Sequence, residues 1–172
     1  MRPIVFAAWT LFLPLVAGCT ILDSLPLGNS PVAVGTRVDR IVVDKSARKM
    51  WLIEDDDVVR TYRVHLGFSP VGDKTEEGDG RTPEGWYRIN RRNPQSRFHL
   101  SLGISYPNAR DVREARKLGK DPGGDIFIHG GPRRWADRFR RDWTDGCIAV
   151  TDRQMEEIYA MVQLNTPIYI RP

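Results

Sequence analysis

The chain has 172 residues, a length typical of one domain that can bury a substantial core. Hydrophobic residues make up 41% and charged residues 28%, which excludes an intrinsically disordered chain and indicates a folded body. The formal charge of +4 suits an anionic partner such as an acidic polymer of a cell envelope, whereas no basic run has the pattern of an RNA-binding motif, so nucleic acid is not an expected partner.

The first 18 residues are typical of a secretory signal peptide. Residues 4–16 are almost wholly apolar, which suits a signal peptide and is too short for a comfortable membrane span. Residues 15–19, LVAGC, resemble a bacterial lipobox, which implies cleavage before Cys19 and lipidation of its sulfur. An ordinary signal peptide or membrane anchor with an incidental cysteine is the alternative. The predicted organisation is a signal peptide at 1–18, a lipidated tether at 19–36 and a folded domain at 37–172.

Lipidation of Cys19 implies a bacterial envelope protein that is anchored in a membrane and faces the periplasm. Thr20 follows the cysteine, where an aspartate would resemble an inner-membrane retention signal, and this favours the outer membrane. Cys147 is the only other cysteine, so it would be the one free thiol of the mature protein in an oxidising compartment. A lone thiol there indicates reactivity.

Short apolar runs separated by turn residues predict a chain made mostly of strands. We predict strands at 38–44, 49–54, 58–67, 86–89, 97–104, 126–128, 148–150 and 168–170. The acidic triplet 55–57 is interpreted as a solvated turn rather than a calcium site. Helices are predicted at 109–118 and after Thr151, which forms a capping box with Gln154. The expected fold is mainly β, a mixed β-sandwich or barrel of short strands with two or three short helices.

A histidine and a cysteine stand at the edges of two of these apolar runs. The run 126–128 ends on His129, and Cys147 immediately precedes the run 148–150. If the two strands are neighbours, about 4.8 Å apart, the imidazole can act as a base toward the thiol, and the thiolate is the nucleophile. Gly146 permits a sharp turn whose backbone N–H groups form an oxyanion hole. A buried structural cysteine and a capping histidine are the alternative.

These residues carry a resemblance to a known family. The pattern Ile128-His129-Gly130 followed by Thr144-x-Gly146-Cys147 resembles the signature of the L,D-transpeptidase catalytic domain (YkuD-type), and residues 81–87 resemble its Thr-Pro-x-Gly turn. The resemblance covers roughly 38–171. It implies a Cys147 nucleophile, a His129 base, and Gly130 and Thr144 as orienting residues. It also implies acyl transfer from the stem peptides of peptidoglycan to an amine, without a cofactor or a metal.

Two residues depart from the usual family pattern. Asp145 stands where the family usually has histidine or asparagine, and its charge would disfavour the thiolate. Ala149 stands where the family usually has arginine, which puts the substrate contacts of that position in doubt. The Thr-Asp-Gly-Cys-Ile-Ala form resembles a branch of the family whose members include proteins thought to release peptidoglycan attachments rather than form them.

The segment 133–143 contains five arginines interleaved with three aromatic residues. Because arginine binds carboxylates bidentately and stem peptides are rich in carboxylates, we expect contacts to the stem from this segment. The candidate substrate-binding residues are Arg133, Arg134, Arg141 and Trp143, together with Tyr106 before the first helix. A solvated amphipathic segment whose aromatic residues merely pack is the alternative. His65 and His99 are interpreted as structural, since no spacing supports a zinc site.

The sequence leaves three main functions open, and a cysteine peptidase for other acidic envelope peptides is a weaker alternative. The first is a cysteine acyltransferase on peptidoglycan stem peptides, an L,D-transpeptidase. The second is a hydrolase that uses the same acyl-enzyme, an L,D-carboxypeptidase or amidase that releases stem residues or an attached lipoprotein. The third is a catalytically inactive peptidoglycan-binding module. The expected partners are stem peptides, a membrane through the Cys19 lipid, and an attached lipoprotein.

Overall fold

The computed structural model describes residues 37–172; the predicted signal peptide, Cys19 and the tether to residue 36 lie outside the described residues. Within 37–172 the chain forms eight strands, two α-helices and one 3-10 helix. They are β1 Arg40–Asp44, β2 Lys49–Glu54, β3 Asp57–Arg63, β4 Gly85–Ser96, β5 His99–Ile104, α1 Ala109–Lys117, β6 Phe127–His129, the 3-10 helix Trp135–Phe139, β7 Ile148–Ala149, α2 Asp152–Met161 and β8 Pro167–Arg171.

The strands form one curled sheet in the order β3-β2-β1-β8-β4-β5-β6-β7. The last strand in the sequence, β8, lies between β1 and β4 at the centre of the sheet. It is parallel to β1 and antiparallel to β4. The pair β6–β7 is also parallel, with His129 opposite Ala149. The prediction of a mainly β fold with two or three short helices is confirmed.

The alternation of the central strands places their apolar residues on one face. Ile41 and Val43 of β1, and Ile168 and Ile170 of β8, are fully buried, whereas the residues between them are partly exposed. Helix α2 covers part of this core with residues at helical spacing, and its Met155 is also fully buried. Burial of this continuous apolar set is the main stabilising contribution.

Helix α2 begins where the sequence predicts. The Thr151 side chain accepts a hydrogen bond from the Gln154 N–H, and the Gln154 side chain accepts one from the Thr151 N–H. These two bonds satisfy donors that a helix start leaves free. The predicted turn between β2 and β3 is also present, with Asp55 and Asp56 at positive φ.

Two strands differ from their predicted bounds by more than two residues. β4 has 12 residues instead of the four predicted, because its first half pairs with β8 and its second half with β5. β3 ends at Arg63 rather than at residue 67, because the next residues leave the β2 pairing. His65 forms an isolated bridge with Ala149, which carries the chain toward β7. Among residues 37–172, no helix is long and apolar enough to span a bilayer.

Candidate active site

An open groove of about 1320 Å³ lies at the β5–β6–β7 end of the sheet. Its walls come from the loop after β3, the second half of β4, the segment before β6 and the segment 133–147. The lining residues on which the site depends are Lys74, Phe98, Asp125, His129, Arg133, Arg134, Trp143, Thr144, Asp145 and Cys147.

His129 is the last residue of β6, and its side chain is almost fully buried. Its Nδ1 lies 2.7 Å from the carbonyl oxygen of Gly130. A carbonyl only accepts hydrogen bonds, so Nδ1 carries the proton and Nε2 of the neutral ring has a free lone pair. Burial, and then the charge of Arg133, lower the pKa of His129 below its usual value of 6.5. The imidazole is therefore neutral at pH 7 and able to accept a proton.

Two aromatic rings fix the plane of this imidazole. The Phe98 ring lies 4.4 Å from the His129 ring, centroid to centroid, and the Trp143 ring meets it edge-on at 5.7 Å. Both rings line the groove. Stacking of this kind restricts ring rotation and also contributes to the burial that keeps the imidazole neutral.

Cys147 immediately precedes β7 and is partly buried. Its Sγ donates to the carbonyl oxygen of Asp125 at 3.6 Å, a bond that only the protonated thiol can make. Burial raises the pKa of the thiol to about 11, and the charges of Asp145 and Asp125 add to this effect, while a hydrogen bond from the Phe127 N–H opposes it. The effect predicted for Asp145 is confirmed, and the resting residue is a thiol.

The strand register brings His129 and Cys147 to the same face. Ile128 pairs with Ile148 and His129 with Ala149, so Cys147 lies two residues from the partner of His129. Residues two apart on a strand share a face, and both side chains line the groove. Among the hydrogen bonds of the described residues, none joins Sγ to the imidazole. The resting site therefore contains a neutral thiol and a neutral imidazole rather than an ion pair.

A tight turn presents Cys147. The Thr144 hydroxyl donates to the Cys147 carbonyl oxygen at 2.7 Å and accepts from the Gly146 N–H at 3.3 Å. Gly146 has a φ of +122°, and a Cβ there would lie 2.6 Å from the carbonyl oxygen of Arg81. Only glycine fits this position. Because the Gly146 N–H is bonded to Thr144, it is not free for an oxyanion, which corrects the prediction for that residue and leaves the Cys147 N–H as the candidate donor.

Gly130, which follows His129, is packed as closely as Gly146. A Cβ at this position would lie 2.5 Å from Oδ1 of Asp152 and 2.8 Å from the carbonyl oxygen of Phe98. The Gly130 N–H donates to that same Phe98 carbonyl at 3.1 Å. The His-Gly pair of the sequence therefore packs the backbone of β6 against the start of α2 while its carbonyl orients the imidazole.

The structure places three of the five predicted substrate-binding residues in the groove. Arg133, Arg134 and Trp143 line the groove. Arg133 is already paired bidentately with Asp152, at 2.8 and 2.7 Å, so its guanidinium has a fixed position. The Nε1 of Trp143 is buried and has no hydrogen-bond partner within the described chain. These residues form one wall above the His129 ring.

The other two predicted residues lie elsewhere. Tyr106 is buried in the core, where its hydroxyl donates to the Pro122 carbonyl oxygen at 2.8 Å. It does not line the groove, because the packing of its ring against Tyr87 directs it inward. Arg141 is exposed and also lies off the groove; its carbonyl oxygen accepts from Nδ1 of His65 at 2.5 Å. The predictions for these two side chains are therefore corrected.

Sequence reasoning missed three residues of the groove. Phe98 packs on the His129 ring, and the Asp125 carbonyl holds the thiol. Lys74 is almost fully buried on the groove wall, where its ammonium donates to the Glu76 carbonyl and to Asp79 Oδ1. None of them belongs to a motif. Across residues 37–172, no group of three or more His, Cys, Asp or Glu side chains is placed to hold a metal ion.

The domain matches a known family. Residues 38–170 match the family model described as the L,D-transpeptidase catalytic domain, YkuD. The chain belongs to this family. The match confirms the resemblance read from the His129-Gly130 and Thr144-x-Gly146-Cys147 motifs.

Several relatives share this domain. YafK of Escherichia coli (strain K12) is 30% identical over 112 residues, which is 63% of this chain and 39% of YafK. The helical cell shape determining protein Pgp2 of Campylobacter jejuni is similar in structure, with 29% identity, a TM-score of 0.59, and coverage of 80% of this chain and 48% of Pgp2. An L,D-transpeptidase of Mycobacterium smegmatis, at 15% identity and a TM-score of 0.52, shares the fold over 77% of this chain and 58% of that one. The chain thus spans less than half of YafK and Pgp2.

Proposed function

We propose that this domain transfers acyl groups from peptidoglycan stem peptides through a thioester on Cys147, with His129 as the base. The observation that carries the proposal is the state of His129. Its Nδ1 proton is held by the Gly130 carbonyl, its ring is neutral, and it shares a groove face with the only cysteine among residues 37–172. A neutral imidazole of fixed tautomer is the form that a general base requires.

In the proposed reaction the thiol proton passes to Nε2 of His129 as Sγ attacks the carbonyl carbon of a stem-peptide amide. The Cys147 N–H faces the resulting oxyanion. The amide C–N bond then breaks, the imidazolium returns its proton to the leaving amine, and a thioester remains on Cys147. An acceptor amine or water then attacks the thioester carbonyl carbon while His129 takes up its proton. The C–S bond breaks, and the proton passes from His129 to Sγ, which restores the thiol. The raised pKa of Cys147 means that the proton moves during the attack rather than before it.

The acceptor distinguishes the two catalytic versions of the proposal. An amine gives a new cross-link or attachment, which is transpeptidation, and water gives a shortened stem or a released protein, which is hydrolysis. Asp145 places a negative charge beside the thiol. This charge supports placing the chain in a branch of the family whose active-site sequence differs from that of the usual cross-linking members. Pgp2 is a helical cell shape determining protein, and we extend an effect on cell shape to this chain as part of the proposal.

Sacculi incubated with the protein test this proposal. Mass spectrometry of the muropeptides should show new 3→3 dimers for transpeptidation, or shortened stems or released protein for hydrolysis. The Cys147→Ala and His129→Ala variants should give the pattern of untreated sacculi. An unchanged product pattern with Cys147→Ala would refute the catalytic proposal.

A non-enzymatic peptidoglycan-binding module is the second candidate. It is favoured by the Sγ–H bond to the Asp125 carbonyl and by a thiol pKa of about 11, since both oppose thiolate formation. Reaction with a carbapenem distinguishes the enzyme from the binding module. Acylation of Cys147 in the folded protein, detected as a mass increase, supports the enzyme; binding of sacculi without acylation supports the module.

We also propose that the chain is exported and lipidated at Cys19, and that it works from the periplasmic side of an envelope membrane, the outer one being favoured by Thr20. This proposal rests on the sequence of residues 1–20. Metabolic labelling with a fatty-acid analogue, compared between the natural chain and Cys19→Ala, tests it. Loss of the label and of membrane association in the variant is the expected result.

A further inference from the structure

A row of large side chains crosses the outer face of the sheet, away from the groove. In the strand register Trp51 of β2 lies opposite Val42 of β1, Val42 lies opposite Tyr169 of β8, and Tyr169 lies opposite Trp86 of β4. All four positions alternate with buried residues and therefore face outward. Adjacent strands lie about 4.8 Å apart, so the row extends roughly 14 Å from Trp51 to Trp86.

The row ends in an exposed aromatic platform. The rings of Trp86 and Tyr169 are stacked, with centroids 4.7 Å apart and planes 23° from parallel. Trp86 nevertheless remains 60% exposed, so Tyr169 supports the indole without covering it. A large exposed aromatic surface has a free-energy cost in water, and an occupant would remove that cost.

A shallow cavity of about 490 Å³ adjoins this platform. Besides Trp86 and Tyr169 its lining includes four polar side chains: Asp73, Glu84, Asn108 and Arg110. Arg110 is paired with Asp73 at 3.2 Å, and Glu84 is paired with Lys45 at 2.7 Å. An aromatic face next to carboxylate, amide and guanidinium groups matches the chemistry of a sugar. The C–H face of a pyranose packs on an indole, and its hydroxyls bond to planar polar groups.

The charge of the surrounding face indicates an acidic ligand. The outward positions on either side of the row are mostly basic: Arg40, Lys49, Arg63, Arg88 and Arg171, against Asp44. Of these, Arg40 is paired with the turn residue Asp56 at 2.6 Å. Asp44 is itself paired with Arg171 at 2.9 Å. A net positive face attracts a polyanion and orients it along the row.

We propose that this outer face, with Trp86 and Tyr169 at its centre, binds the glycan strand of peptidoglycan as a site separate from the groove. The choice of this glycan as occupant rests on the proposed function. β4 links the two sites, since Trp86 lies in its first half while Asn93 and Gln95 in its second half line the groove. About 23 Å of strand separates Trp86 from Asn93. The face therefore holds the polymer whose stems enter the groove.

The test is a titration of the protein with peptide-free glycan strands, in which binding is measured by tryptophan fluorescence and by calorimetry. The natural protein and Cys147→Ala should bind equally. Trp86→Ala and Tyr169→Ala should bind roughly tenfold more weakly, and Trp86→Phe should retain most of the affinity. Trp135→Ala is the matched control, because Trp135 is 70% exposed but belongs to the 3-10 helix, and it should bind normally.

Several outcomes would overturn the inference. They are no binding of peptide-free glycan by the natural protein, unchanged binding by Trp86→Ala and Tyr169→Ala, or a dimer in light scattering that Trp86→Ala dissociates, which would assign the face to a second copy. The proposed function fails separately, through unchanged products with Cys147→Ala. If the inference holds, Trp86→Ala loses turnover on sacculi but keeps it on a free stem peptide.

Discussion

The Thr144 hydroxyl donates to the carbonyl oxygen of Cys147 at 2.7 Å and thereby closes the turn that presents the thiol. Thr144→Val keeps the shape but removes this bond and the acceptor of the Gly146 N–H. We expect a loss of about 1–3 kcal/mol in the free energy of unfolding, measured with urea, and at least tenfold slower acylation of Cys147 by a carbapenem. Thr144→Ser is the control and should retain most of both. Normal acylation of the valine variant would contradict the role of the hydroxyl.

The raised pKa of Cys147 predicts how its reactivity changes with pH. Alkylation by iodoacetamide should keep rising up to a pH of about 11 instead of levelling off near the ordinary thiol value of 9.0. Asp145→Asn removes a negative charge beside the thiol, so its pKa should fall and alkylation at pH 8 should be roughly 2- to 5-fold faster. Glu114→Gln, on the exposed side of α1, removes a distant charge and should have no effect. Equal rates for the two variants would exclude the effect of Asp145.

The lowered pKa of His129 predicts the acid limit of activity and of stability. Activity should persist at pH 6.5 and fall below it, as the imidazole takes up a proton. The unfolded state binds protons at a higher pH than the folded state does. The stability due to His129 is therefore fully present above pH 6.5 and is lost as pH falls through the lower, folded pKa. Urea unfolding of the natural protein and of His129→Gln between pH 8 and 5 measures this loss of stability. Equal losses of unfolding free energy in the two proteins would contradict the role of His129.

Gly146 should not tolerate a side chain. Gly146→Ala combines a strained positive φ with a Cβ that lies 2.6 Å from the Arg81 carbonyl oxygen. The control is Gly119→Ala, which also has a positive φ but nothing within 4 Å of the new methyl group. We expect a loss of about 1 kcal/mol in unfolding free energy for the control and of at least about 3 kcal/mol for Gly146→Ala. Similar losses would show that the steric overlap is relieved.

The bidentate pair of Arg133 and Asp152 predicts a substrate effect without a large stability effect. Both side chains are about 40% exposed, so Arg133→Ala should cost less than about 1 kcal/mol of stability. If Arg133 holds a stem carboxylate, its loss should raise the KM for a stem peptide several-fold while kcat changes little. Arg138→Ala, outside the groove, is the control. A fall in kcat at constant KM would instead indicate that Arg133 acts through the orientation of His129.

The sequence predicted the parts of the molecule that local patterns encode. The alternation of β1 and β2, the capping box of Thr151 and Gln154, and the His129 and Cys147 motifs on neighbouring strands depend on residues close together in the chain. The length of β4 was not predictable, because two different partners extend it. Strand pairing over such separations has no local signature.

The walls of the site were harder to predict than its centre. Phe98 and Lys74 reach the groove through the tertiary fold, and nothing in their neighbouring residues marks them. Tyr106 and Arg141 were misplaced for the opposite reason: their residue types suit a binding site, but packing against Tyr87 and the position of the 133–143 segment direct them away from it. Residue type therefore indicated which chemistry was available but not its location.

The central position of β8 also bears on the order in which the domain folds. β1 and β4 have no direct pairing, and each joins the sheet through the last strand of the sequence. Contacts over such a separation in sequence make a chain fold slowly, because a long loop must close before they form. During synthesis the two halves of the sheet cannot unite until residues 167–171 have emerged. The nascent domain therefore stays in an incompletely folded form until β8 has been synthesised.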